Sequence, residues 1–234
     1  MGYYYYGFDP TVIYILPAIL LALYAQIRVK STYAKYEKVG NHRGLTGERA
    51  ARMILDRNGL KNVKIGHVAG KLTDHYDPRT NIVNLSDGVY DNASIAAVGI
   101  AAHEVGHAIQ HNLGYFPIKA RNTILPVVQV SSQLALPLII LGFIFSAFSF
   151  FIEVGIILYA AVVAFQIITL PVELNASKRA LRSVYELGCL DEEETRSAKR
   201  VLSAAALTYV AAAATAILQL LRLITIAGGG RRRD

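Results

Sequence analysis

Long apolar runs alternate with polar segments along this chain. Four runs, at residues 10–27, 124–145, 154–172 and 202–226, have about the 20 mainly apolar residues that a helix needs to cross a bilayer. The pattern therefore predicts four transmembrane helices. The second and third lie in a stretch with no Lys or Arg and with one acid, Glu153, so we expect a tight hairpin between them.

The fourth run has a second interpretation. It contains Gln219 and Arg222, whose polar groups a buried helix of a folded domain accommodates more easily than a lipid-facing helix does. A transmembrane span and a buried core helix are therefore both open for this segment.

The polar segments, residues 29–123 and 173–200, are together long enough for one small domain. Thr46 and Ser94 each precede a helical pattern of apolar residues and are typical N-cap residues. Between these two helices, short β-prone pieces within residues 63–85 predict two or three strands.

The composition agrees with a membrane protein and excludes other classes. Hydrophobic residues make up 53% of the chain and charged residues only 18%, which excludes a disordered protein. The net charge of +7 does not indicate nucleic-acid binding, because Lys and Arg gather at the ends of the apolar runs. A disulfide framework is excluded as well, since Cys189 has no second cysteine to pair with.

The motif that carries chemistry is His103-Glu104-Val105-Gly106-His107, inside the predicted Ser94 helix. Histidines four residues apart project from the same helix face, so both imidazoles can bind one zinc ion while Glu104 reaches a metal-bound water. The neighbouring residues are uncharged, as expected around a buried site. We predict one Zn²⁺ ion at this motif.

A catalytic zinc ion usually takes three protein ligands and a water, so a further ligand is expected. His111 shares the helix face but lies about 12 Å along the axis from His103, too far for the same tetrahedron. Glu173 is the better candidate, because it opens a helix after Pro171 and two membrane passes return the chain to the side of His107. A helix-capping carboxylate is the alternative role for Glu173.

Several runs of the sequence resemble the bacterial membrane zinc metallopeptidases of the YugP type, which are similar in their sites to HtpX and other gluzincins. These runs are far more specific than the HExxH pattern alone, and they are residues 44–47, 72–79, 101–110, 170–181 and 204–211. The resemblance implies an α-helical integral membrane protein with a small α+β zincin-like catalytic domain. That domain would contain the HExxH helix, a short β-sheet and a Glu-bearing helix.

The resemblance also implies the roles of individual residues. His103, His107 and Glu173 would be the zinc ligands, and Glu104 the general base. HtpX-type proteins carry Asp four residues after the ligand Glu, where this chain has Ser177. The partner that orients the metal-binding histidine is therefore open.

We predict a membrane-embedded zinc endopeptidase that acts on proteins or peptides, membrane proteins among them. The tetrahedral oxyanion needs a further donor, and an extended substrate needs a strand edge to which it can add. A structural role is the alternative for every candidate. The donor candidates are His75, Tyr76, Arg179 and Tyr209, and the candidate substrate strand is Asn81, Ile82, Val83, Asn84 and Leu85.

The distribution of Lys and Arg predicts an orientation in the membrane. Outside residues 28–121 and 178–200, these residues are Arg222 and the tail at 231–233. Because positive charge near spans favours the cytoplasm, we expect a multi-pass protein of the plasma membrane with a cytoplasmic catalytic side and both termini outside. If the tail is cytoplasmic instead, the fourth segment is re-entrant or lies at the interface.

Two other classes compete with hydrolysis. A zinc-binding membrane scaffold or chaperone-like protein would use zinc only to hold helices together, but structural sites are usually closed with cysteines. A transporter would need ionisable residues near the centres of spans, whereas Gln219 and Arg222 lie towards one end. Hydrolysis is favoured over both.

Overall fold

A computed structural model describes residues 11–230, and the elements of this part of the chain are helices and one small sheet. Pro10, which opens the first predicted span, and the basic tail at 231–233 lie outside the described residues. The helices are Val12–Tyr36 (α1), Gly47–Arg57 (α2), Ile95–Asn112 (α3), Phe116–Ile144 (α4), Phe150–Glu186 (α5) and Glu192–Gly230 (α6). The strands are Lys64–Val68 (β1), His75–Asp77 (β2) and Ile82–Ser86 (β3).

The helix starts predicted in the polar segment are confirmed. The side chain of Thr46 accepts a hydrogen bond from the backbone N–H of Arg49 at 3.3 Å, which caps α2. The hydroxyl of Ser94 accepts from the backbone N–H of Ala97 at 3.1 Å, which caps α3. Each cap satisfies an N–H group that has no partner within its own helix.

The sheet has the strand order β1-β3-β2, with β1 parallel and β2 antiparallel to β3. The predicted substrate strand, residues 81–85, coincides with β3, which is the central strand. That prediction is wrong, because both edges of β3 are hydrogen-bonded within the sheet and offer no place for a further strand. Among the described residues, β1 and β2 are the outer strands of the sheet.

The polar domain is held together by α2, α3 and β3. Ile54, Leu55, Leu85 and Val105 have no solvent exposure and belong to one hydrophobic core. Gly106 lets α3 approach α5 closely, because a Cβ at this position would lie 2.7 Å from the carbonyl oxygen of Ala176. This close approach places the HExxH motif beside the Glu-bearing part of α5.

Four helices, α1, α4, α5 and α6, are long and apolar enough to cross a membrane, as the sequence predicts. The predicted hairpin is confirmed, since α4 and α5 are joined by a short 3₁₀ turn at Ser146–Phe148. The prediction of a separate helix after Pro171 is wrong. Helix α5 continues through Pro171, a residue that long apolar helices tolerate in their interior.

The chain divides into two compact units. One comprises residues 25–122 and 168–209, and it contains the sheet, α2 and α3 together with parts of the long helices. The other is formed by the described parts of residues 1–24, 123–167 and 210–234. In this second unit α4 and α5 pack closely, because a Cβ at Gly155 would lie 2.7 Å from the carbonyl oxygen of Ala135.

Candidate metal centre

Two histidines from α3 and a glutamate from α5 meet within the first of these units. His103 Nε2 lies 3.3 Å from Glu173 Oε2, and His107 Nε2 lies 3.5 Å from the same oxygen. All three side chains are largely buried, and that of Glu173 is 5% exposed. With zinc–ligand bonds of about 2.1 Å, a tetrahedron has edges of about 3.4 Å, which is close to both nitrogen–oxygen distances. The three atoms lie within 4.8 Å of one another, so their chemistry suits a zinc site.

Glu104 lies beside this group without being part of it. One of its oxygens, Oε2, accepts a hydrogen bond from the backbone N–H of Tyr76 at 3.1 Å. Glu104 is 9% exposed, and it lines a cavity of about 210 Å³ together with His103 and Glu173. A carboxylate in this position can exchange a proton with a water molecule in the cavity.

Polar side chains contact the second nitrogen of each histidine. His103 Nδ1 lies 3.1 Å from the hydroxyl of Ser177, and His107 Nδ1 lies 3.1 Å from Gln110 Oε1. When each Nδ1 carries the ring proton and donates a hydrogen bond to these oxygens, each Nε2 keeps a lone pair for a metal ion. Ser177 thus contacts the histidine at the position where HtpX-type proteins carry Asp.

Sequence reasoning missed two residues next to the centre, Gln110 and Arg121. Gln110 is fully buried, and its Nε2 donates to the carbonyl oxygen of Val172 at 2.8 Å. Arg121 Nη1 lies 3.2 Å from Glu173 Oε1, which leaves Oε2 to the histidines. Gln110 could have been found from the sequence, because it is a polar amide three residues after His107 in an otherwise apolar helix. The local sequence contains no such signal for Arg121.

The protonation of His107 depends on the carboxylates around it. Burial alone lowers the pKa of an imidazole, but the hydrogen bond to Glu173 and the charges of Glu104 and Glu173 outweigh it and raise the pKa of His107. Because a metal ion needs the neutral ring, a proton and a metal compete for this histidine.

Two of the predicted oxyanion donors, Tyr209 and Arg179, lie on α6 and α5. Tyr209 lines the cavity together with Glu104 and Glu173. Arg179 is not among the described residues that line it, and its Nε donates to Asn175 Oδ1 at 2.8 Å. The structure therefore brings Tyr209 to the centre and places Arg179 in the surrounding polar network.

The other two predicted donors, His75 and Tyr76, belong to β2. The hydroxyl of Tyr76 donates to Asn81 Oδ1 at 3.0 Å, and His75 Nδ1 lies 2.8 Å from the carbonyl oxygen of Thr73. Both side chains are thus engaged with neighbouring residues of the sheet region. It is the backbone N–H of Tyr76 that reaches the centre, through its bond to Glu104.

Other histidines lie apart from this centre. The ring of His111 packs 6.0 Å from that of Tyr76, measured between centroids. His42 lies close to Asp191 and Glu194, which cap α6. Their carboxylates already accept backbone N–H bonds, from His42 to Glu194 at 2.6 Å and from Glu194 to Asp191 at 2.8 Å, so this cluster is explained by capping.

Known proteins resemble this chain over nearly its whole length. A family model described as "Putative neutral zinc metallopeptidase" matches residues 11–228. The chain is 47% identical over 216 residues to the "Putative membrane protease YugP" of Bacillus subtilis (strain 168), which covers 92% of this chain and 96% of that protein. No solved structure matches it.

Proposed function

Because this chain belongs to the family described as "Putative neutral zinc metallopeptidase", we propose that it hydrolyses peptide bonds with one zinc ion held by His103, His107 and Glu173. The observation that carries the proposal is the meeting of these three side chains beside Glu104 at a cavity. Two imidazoles and one carboxylate leave a fourth position open for water, which is typical of catalytic gluzincin sites and not of structural ones.

The chain's own residues prepare the ligands for the metal. When bound, zinc lowers the pKa of a coordinated water to about 7 and polarises the carbonyl of the substrate. Ser177 and Gln110 would accept hydrogen bonds from the Nδ1–H groups of the two histidines and so direct both Nε2 atoms to the ion. Arg121 occupies the second oxygen of Glu173, so that this carboxylate binds through one oxygen.

Glu104 is the general base in this proposal. Its Oε2 is held by the backbone of Tyr76, which leaves Oε1 to take a proton from the attacking water. The same oxygen then gives the proton to the nitrogen of the leaving amine.

Tyr209 is the oxyanion donor in this proposal. Its hydroxyl would donate to the carbonyl oxygen as negative charge develops there, and its position in the cavity wall beside Glu104 supports this role. An extended substrate would run alongside β2, the outer strand next to Glu104, while the N–H of Tyr76 stays bonded to Glu104.

The substitution Glu104→Gln tests the proposal on the purified, zinc-loaded protein and an unfolded test protein. We expect stoichiometric zinc and a loss of cleavage of about 100-fold or more, because the amide cannot accept the proton. Glu193→Gln, an exposed acid on α6, is the matched control and should cleave normally. Near-normal cleavage by Glu104→Gln would exclude the base, and a zinc-loaded wild-type protein that cleaves nothing would favour a scaffold.

The chain is a membrane protein, as its relative and its four apolar helices show. We further propose that it is a multi-pass protein of the plasma membrane and that its catalytic side faces the cytoplasm. The concentration of Lys and Arg in residues 28–121 and 178–200 supports this orientation.

A further inference from the structure

A basic groove lies between the facing parts of α5 and α6, in the same unit as the candidate metal centre. It has a volume of about 520 Å³. Leucines from both helices give it an apolar surface, and basic residues from both helices border it. The leucines are Leu174, Leu181 and Leu202, and the basic residues are Lys178, Arg182, Arg196 and Lys199.

The charge of this groove is positive and partly uncompensated. None of the described residues that line it is acidic. Arg182 and Arg196 each pair with a glutamate one turn away on their own helix, at 2.6 Å. Within residues 11–230, neither Lys178 nor Lys199 lies within ion-pair distance of a carboxylate, so these two ammonium groups can pair with an incoming anion.

The groove adjoins the cavity at the candidate metal centre. Ser177, Leu202 and Ala206 line both, and Ser177 also contacts one of the metal-binding histidines. Along α5 the groove extends from Leu174 to Tyr185, which is about 16 Å at 1.5 Å per residue. An extended polypeptide of about five residues has this length.

We propose that the groove binds the part of the substrate polypeptide next to the scissile bond and selects segments in which acidic side chains stand among apolar ones. This inference rests on the proposed peptidase function. The leucines would bury the apolar side chains, while Lys178 and Lys199 pair with carboxylates. An anionic lipid headgroup has similar charge, but only a polypeptide bound at the metal has to continue from the catalytic cavity into a neighbouring groove.

Two fluorogenic peptides test the proposal with the zinc-loaded full chain in neutral detergent. Both have the same apolar sequence around the cleavage site, flanked on each side by alternating Leu and Glu in one peptide and by Leu and Gln in the other. We expect a lower KM for the Glu peptide, and we expect this preference to weaken as salt is raised. In the double variant Lys178→Gln/Lys199→Gln the preference for the Glu peptide over the Gln peptide should fall about fivefold.

Lys61 and Lys64, exposed lysines outside the groove, provide the matched control variant Lys61→Gln/Lys64→Gln, which should keep the preference. Binding of the labelled Glu peptide to Glu104→Gln, followed by fluorescence anisotropy, gives a readout that needs no cleavage. Lysine-dependent binding there would support the groove even if the wild type cleaved neither peptide. Equal KM values for both peptides would overturn the proposal, as would a lysine dependence that appears only when phosphatidylglycerol is added.

Discussion

The Glu173 side chain contacts residues from two other helices at the candidate metal centre. One of its oxygens lies near both histidines of α3, and the other is paired with Arg121 at the start of α4. A carboxylate shared in this way is fixed in orientation before a metal arrives. The packing of the folded protein therefore orders most of the site before a metal binds.

The substitution Glu173→Ala should remove one metal–ligand bond. We expect zinc affinity to fall by more than the roughly 10- to 100-fold that is typical when only an outer partner of a ligand is lost. Metal analysis after dialysis against a weak chelator measures this. Glu186→Ala, on an exposed face of the same helix, is the control. Full zinc occupancy in Glu173→Ala would show that another residue is the third ligand.

Ser177→Ala should weaken zinc binding by about 10-fold without abolishing it, because His103 loses the partner of its Nδ1 but remains in place. Competition with a chromogenic chelator gives the affinity. Ser183→Ala on the same helix is the matched control. Unchanged affinity in Ser177→Ala would show that the hydroxyl does not orient the ring.

The placement of His103 and His107 on one helix face could be predicted from the sequence, because their spacing of four residues fixes it. Gln110 and Arg121 could not be assigned in the same way, because their partners lie 62 and 52 residues away in the chain. Contacts of this kind depend on how helices pack. A single sequence contains no local pattern that reports them.

At the scale of the elements, the site depends on the contact between α3 and α5. Hydrophobic periodicity and cap residues predicted α3, but they could not show that β3 is central or that α5 runs through Pro171. Strand order is decided by long-range pairing, and a proline boundary is decided by the surroundings of the helix. Both wrong predictions, the substrate strand and the helix start after Pro171, concern features that depend on residues distant in the sequence.

Gly106→Ala should separate α3 from α5, because the added Cβ would lie 2.7 Å from a backbone oxygen that has no rotamer with which to yield. We expect a loss of stability of about 1–3 kcal/mol together with weaker zinc binding. Gly99→Ala on the same helix is the matched control, since its Cβ would meet Ala198 Cβ at 3.3 Å. Thermal unfolding in detergent, with and without zinc, compares the two. Equal effects would mean that the Gly106 contact does not position the site.

For the molecule as a whole, the orientation is the property that the sequence predicts and labelling can decide. Single cysteines at Asn62, Ser149 and Gly229 can be introduced in a Cys189→Ala background, where Ala avoids placing a hydroxyl in an apolar core. In intact cells an impermeant thiol reagent should label positions 149 and 229 and spare position 62.

Permeabilised cells provide the control, because all three positions should then react. Ready labelling of position 62 in intact cells would reverse the assignment of the catalytic side. Protection of position 229 alone would correct only the fourth segment, which would then be re-entrant or interfacial.

The hydrogen bond that orients Glu104 comes from the main chain of residue 76, and this limits which mutations can remove it. A side-chain donor is lost by many single codon changes, whereas a backbone N–H survives every substitution except proline. In a complete library of variants at position 76, residues that fill the space of the Tyr ring, such as Phe, should keep proteolysis. Proline alone should remove the donor itself. The orientation of Glu104, the proposed general base, is thus largely protected from mutations at that codon.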